Sequence, residues 1–197
     1  MPNLPIARRR ELLLDAGVRV IARSGVAAAT TRAIVNEAGM PLASFHYAFT
    51  NHEEFLLRLI ERQLVPAPSP EPTADTFPEA LEQFLGELLV QDAATQGVVA
   101  ELAIYGVLRD GLREETSQRL ADYDRQLADG LQRLADDFGM EWTIAPERLA
   151  KQVNAWRFGA VVQSAYARRG ASYVHESGAK ECAILLGGTA RPARAAS

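Results

Sequence analysis

Ser44, His46 and Tyr47 put three polar tips within four residues of one another, in the segment LASFHYA from Leu42 to Ala48. Side chains of these types can exchange hydrogen bonds with base edges and phosphate oxygens. The other chemistry-bearing residues do not converge. His46, His52 and His175 are not spaced as a metal site, and His175 with Cys182 offers two ligands without a third. Glu114-Glu115 and Asp136-Asp137 are sequence neighbours, which do not face each other on a helix. No Gly-rich phosphate loop, G-x-S-x-G elbow or H-E-x-x-H is present. The expectation is a protein that is not an enzyme, with no catalytic residues, no metal and no cofactor.

The elements around the polar tips read as helices. Thr30 or Thr31 suits a helix start, because a hydroxyl there accepts a free backbone N–H one turn on. Ile34 and Ala38 share a face, and Gly39 sits where that helix stops. Met40-Pro41 makes the turn, and Pro41 suits the next start because its missing N–H has no partner to lose. The Leu42–Ala48 helix is barely two turns long. Asn51, with Glu54 three residues on, is a capping box for the helix after it. A short helix with polar tips between two capped helices is what a helix-turn-helix needs. An ordinary helical hairpin uses the same turns, and the pattern alone leaves both open.

From Arg8 to Leu64 the chain resembles the DNA-binding domain of the TetR family of bacterial transcriptional regulators. The resemblance lies in RELLLDAGVRVIARSGVAAATTRAIVNEAGMPLASFHYAFTNHEEFLLRLI: a first helix ending at Gly25, a Thr-Thr start, an alanine-glycine turn, an aromatic-rich helix ending at Phe49, then Asn51 and a Glu pair. It departs at Phe45-His46, where the family usually has Leu-Tyr, at Ala48, where histidine is common, and at His52, where lysine is frequent. The resemblance implies an all-α fold of about nine helices. A three-helix helix-turn-helix domain would come first, then a helical domain for effector binding and dimerisation. It also implies that Leu42, Ala43, Ser44, His46 and Tyr47 enter a major groove, and that Thr30, Thr31, Arg32, Asn51 and His52 clamp the backbone beside it.

Charge is divided along the chain in the same sense. The whole chain of 197 residues carries −4, but residues 1–64 carry +2 and residues 65–197 carry −6. The basic end is the helix-turn-helix end, as a footprint on phosphates requires. An apolar content of 48% fits a globular protein. The single cysteine, Cys182, excludes an intramolecular disulfide framework. Asp15 and Arg19 interrupt the apolar run after Arg8-Arg9-Arg10, which argues against a signal peptide. No stretch approaches the roughly 20 apolar residues of a membrane span, and the cytoplasm is the default compartment.

The organisation expected is residues 1–64 as the helix-turn-helix domain, a proline-rich linker over 65–78, a helical domain over 79–188 and a disordered tail over 189–197. Stripes predict a first helix to about Ser24 on Leu13, Ala16, Gly17, Val20 and Ile21, and a fourth from His52 on Phe55, Leu56, Leu59 and Ile60. Later helices are expected near 77–88, 96–108, 112–138, 146–169 and 172–186, and no useful period-two strand pattern appears. The family binds small effectors between the later helices. That implies Phe84, Tyr105, Tyr123 and Trp156 as lining residues and Arg109 and Gln163 as polar anchors for a largely apolar molecule.

The last two helices carry small residues that let backbones approach, among larger apolar ones: Val153, Gly159, Ala160 and Ser164, then Val174, Gly178, Cys182 and Leu185. They suit a four-helix bundle across a two-fold axis, or a helix pair within one chain. The resemblance favours the homodimer. The function expected is a ligand-responsive repressor on a palindromic DNA operator. The alternatives are a helical small-molecule binder or a dimeric adaptor that has lost DNA binding.

Overall fold

The computed structural model describes residues 4–64, 73–89, 93–166 and 172–193; the side chains of 89, 93–95, 164–166 and 172–177 lie outside that description. Among the described residues there are nine α-helices: α1 Ile6–Ser24, α2 Thr31–Glu37, α3 Leu42–Ala48, α4 His52–Gln63, α5 Phe77–Leu89, α6 Ala93–Val107, α7 Asp110–Asp137, α8 Pro146–Tyr166 and α9 Ser172–Gly187. A single 3₁₀ turn, Val26–Ala28, joins α1 to α2. The fold is all-α in its framework, as expected.

The chain forms two compact units that do not follow chain order. Residues 1–65 group with 94–120, and residues 66–93 group with 121–197. Helix α6 and the first turns of α7 therefore belong with the N-terminal helices. Of the proline-rich stretch, 65–72 lie outside the described residues, while Phe77 and Pro78 already belong to α5.

In the first unit, the α1 stripe of Leu13, Ala16, Gly17, Val20 and Ile21 is buried, as are Phe55, Leu56, Leu59 and Ile60 of α4. Three phenylalanines lock the short helix in place. Phe45 of α3, Phe49 and Phe55 of α4 are each almost fully buried. Their ring centroids lie 5.4 Å (Phe45–Phe49), 5.4 Å (Phe45–Phe55) and 5.2 Å (Phe49–Phe55) apart. That triangular packing adds to the area the rings remove from water.

In the second unit, α5, the later part of α7, α8 and α9 share one core. It includes Leu81, Phe84, Leu85, Leu131, Leu134, Val153, Cys182 and Leu186. Part of the segment expected to be disordered is ordered instead. Ala190–Pro192 forms β2, antiparallel to β1, Met140–Trp142, with Glu141 opposite Arg191. Side-chain contacts in and beside the strands reinforce the pairing. Arg191 meets Glu141 at 2.6 Å, the Thr143 hydroxyl donates to the Thr189 carbonyl at 2.7 Å, and the Trp142 indole donates to the Leu131 carbonyl at 2.9 Å. Three-residue strands are too short to leave an alternating pattern in sequence. No helix is long and apolar enough to cross a membrane among the described residues.

Candidate nucleic-acid interface

The turn between α2 and α3 is set by caps at both ends. The Thr30 hydroxyl accepts the Ala33 N–H at 3.2 Å, so Thr30 rather than Thr31 is the N-cap of α2. Gly39 adopts φ +64°, the left-handed conformation that side chains disfavour. The Asn51 side chain accepts the Glu54 N–H at 2.8 Å. The Glu54 carboxylate accepts the Thr50 N–H at 2.6 Å, one residue beyond the usual reciprocal bond to the N-cap N–H. His52 bonds through Nε2 to the Ala29 carbonyl at 2.6 Å, so the starts of α2 and α4 are tied together.

Burial of Phe45 and Ala48 fixes which face of α3 turns out. Leu42, Ala43, His46 and Tyr47 are exposed and Ser44 is half-buried. Tyr47 is 65% exposed. Two arginines of α1 grip the end of this helix. Arg10 Nε donates to the Ala48 carbonyl at 2.8 Å, satisfying an orphan group where a cation is favoured. The Arg9 guanidinium lies 4.7 Å from the Tyr47 ring centroid.

The cations of residues 1–64 separate into two groups. Arg19 and Arg23 pair with Glu37, Arg62 with Glu11 and Asp15, Arg58 with Glu61, and Arg10 with Glu54. Arg8, Arg9 and Arg32 have no carboxylate partner among the described residues. The paired arginines are spent on structure. Hydrogen bonds from Arg19 and then Arg23 hold the Glu37 carboxyl below its ordinary pKa, and the Thr50 N–H does the same for Glu54. Of the flanking residues expected at the groove, Thr30, Arg32 and Asn51 are exposed, and Thr31 and His52 are half-buried.

The residues expected at an effector site are divided between the units. Tyr105 and Arg109 belong to the first, with Arg109 stacked 4.8 Å from the Tyr105 ring centroid. Phe84, Tyr123, Trp156 and Gln163 belong to the second. There Phe84 is core, Gln163 is exposed, and Tyr123 is bound by Arg157, a residue the sequence reading passed over. A groove of about 470 Å³ in the second unit runs along Phe77, Pro78, Met140, Ala183, Ile184 and Gly187, and none of the six expected effector residues lines it.

The residues expected at a dimer face also separate. Val153 and Cys182 are consumed by the chain's own core and Ala160 is buried. Burial pushes the Cys182 thiol up to about 11. A Cβ on Gly178 would fall within the Trp156 ring, so that glycine serves the α8–α9 contact of one chain. Gly159 is half-buried and meets nothing within 4 Å. The side chains of Ser164 and Val174 lie outside the described residues. Leu185 is 74% exposed, and it is joined by Ile184 and Val162, exposed apolar residues that the small-residue signal did not reveal.

A capped helix-turn-helix with an outward polar helix and unpaired arginines beside it defines a DNA-binding class of domain. Residues 13–59 match the family model described as bacterial regulatory proteins, tetR family. Over these residues the chain is similar to the TetR family of bacterial transcriptional regulators. It is 48% identical over 48 residues to the HTH-type nicotine-responsive transcriptional repressor HdnoR of Paenarthrobacter nicotinovorans, a match covering 24% of this chain and 25% of that protein. Over nearly the whole chain the likeness is one of fold. A transcriptional regulator from Rhodococcus sp. Rha1 aligns with TM-score 0.74 at 20% identity, covering 92% of this chain and 97% of that one. The multidrug binding protein EbrR, complexed with imidazole, aligns with TM-score 0.61 at 23% identity over 95% of this chain and 97% of its own.

Proposed function

We propose that this chain is a ligand-responsive, DNA-binding transcriptional repressor that occupies a palindromic operator as a homodimer in the cytoplasm. The observation that carries the reading is the arrangement around α3. Phe45 anchors the helix inward, Ser44, His46 and Tyr47 remain outward, and Arg8, Arg9 and Arg32 have no carboxylate partner among the described residues. Phosphate contacts by such cations supply affinity and register, and the helix tips supply sequence preference. Thr30, Thr31, Asn51 and His52 border the groove-facing helix and position the backbone.

One α3 reads a half-site, so a palindrome requires two chains. The exposed Val162, Ile184 and Leu185 support pairing through α8 and α9. A small, largely apolar effector is supported by the company the fold keeps, a nicotine-responsive repressor and a multidrug binding protein. The chemistry proposed is binding throughout, with no catalytic step. An effector that couples to operator affinity by about 1–3 kcal/mol is a sufficient switch.

The test is a gel-shift titration against the DNA upstream of the chain's own gene. The reading expects a specific, salt-sensitive complex with two chains per operator. Absence of a specific complex at low salt would instead favour a small-molecule binder or adaptor that no longer uses DNA.

A further inference from the structure

Arg157 is out of place in the second unit. It stands on α8 between the buried Val153 and Ala160, and it is itself half-buried. Its hydrogen bonds among the described residues run through Nη1: to the Tyr123 hydroxyl, and to Asn154 Oδ1 at 3.3 Å. Its Nε is buried without an acceptor. No carboxylate pairs with it among the described residues. Asp124, the acid of this cluster, is engaged by Asn154 Nδ2 at 2.5 Å.

The geometry holds the guanidinium ready. Asp124 orients the Asn154 amide so that its oxygen turns to Arg157, and the Tyr123 ring lies 4.8 Å beneath the cation. Both neutral acceptors use one nitrogen. The Nε–Nη2 edge, the side of the fork that matches the two oxygens of a carboxylate, carries no acceptor among the described residues. A half-buried cation served only by neutral groups among the described residues, with one N–H unsatisfied, is placed to take an anion.

We propose that Arg157, positioned by Tyr123 and Asn154, is the polar anchor of the effector site, and that the effector is an apolar molecule bearing one carboxylate. This rests on the reading of the chain as a ligand-responsive regulator and names the chemistry of that ligand. The anchors expected from sequence, Arg109 and Gln163, are both exposed, whereas Arg157 is partly withdrawn from water, where a charge-assisted bond is screened least.

The experiment compares benzoate, 4-phenylbutyrate and decanoate with their primary amides. Tryptophan fluorescence of the full-length protein gives affinity, and release of operator DNA gives response. At least one acid is expected to bind tenfold or more tightly than its amide. Arg157→Gln is expected to erase that preference and Arg157→Lys to restore part of it, with unliganded operator binding unchanged in both. Should Arg157→Gln fail to melt cooperatively, Arg157→Lys still decides, because it keeps the charge and loses the bidentate fork. Acids that bind no better than amides, a preference that survives in both variants, or no binding by any of the acids overturns the proposal. Acid binding that depends on Arg157 while no operator complex forms would leave this site standing and remove the regulator reading.

Discussion

The Glu101 carboxylate accepts the Val26 N–H at 2.7 Å, fastening α6 to the turn between α1 and α2. Both residues lie in the first compact unit, so α6 is held by the helix-turn-helix domain itself. A carboxylate on an exposed backbone N–H contributes about 1 kcal/mol, enough to bias a switch without holding the fold. Glu101→Gln is expected to leave operator affinity within about threefold, because the α3 face is untouched. It is expected to weaken the response to effector by about fivefold, the low end of ordinary coupling. Operator release measured against effector concentration checks this, and an unaltered response would show that the Glu101 bond has no part in it.

Replacement of Phe45 by alanine removes one corner of the phenylalanine triangle. The cost expected for a buried Phe→Ala change is about 3–5 kcal/mol. Denaturant melting should show that loss, with DNA binding failing at temperatures where the parent protein still binds. Tyr47→Ala should cost little stability, since Tyr47 is mostly exposed, yet weaken operator binding.

Acid should loosen the first unit by a defined route. Glu37 and Glu54 have carboxyl pKa values below the ordinary 4.5, through Arg19 and Arg23 in one case and the Thr50 N–H in the other. A group depressed on folding stabilises fully above its unfolded pKa and loses that contribution as pH falls through the folded value. Melting temperature is therefore expected to hold above about pH 5 and to fall below 4.5. Glu37→Gln with Glu54→Gln should flatten that fall. An equally steep fall in the double variant would assign the acid sensitivity to other groups.

The exposed Leu185 offers a direct test of pairing. Leu185→Arg places a charge among the exposed apolar residues of α8 and α9 and should convert a dimeric mass to a monomeric one in light scattering. Melting of the monomer should still be cooperative, because Val153 and Cys182 belong to the chain's own core. A dimer that survives Leu185→Arg would move the pairing face elsewhere.

The residues that were legible in sequence are those whose burial is local. The α1 and α4 stripes recur at helical spacing and are buried where that spacing placed them, and Thr30, Gly39 and Asn51 mark the turn through backbone chemistry that depends on near neighbours. What sequence hid was determined at long range. Arg191 finds Glu141 fifty residues away, and three-residue strands leave no period to read. Val153 and Cys182 looked suited to an interface because small and apolar residues serve a chain's own helix pair and a dimer equally well. Arg157 was missed for a related reason: an arginine on a helix reads as solvated until its neighbours, Tyr123 and Asp124 from α7, are seen around it.

The central claim is that the outward face of α3 and the arginines without a carboxylate partner among the described residues, Arg8, Arg9 and Arg32, hold operator DNA. Its most direct test is the salt dependence of operator affinity for the parent protein and for Arg8→Gln/Arg9→Gln/Arg32→Gln. Each phosphate contact contributes about 0.9 to the slope of log affinity against log salt. The account predicts a slope shallower by about two to three per subunit in the triple variant, with melting unchanged. An equal slope in both proteins, or a parent protein with no preference for operator over unrelated DNA, would contradict it.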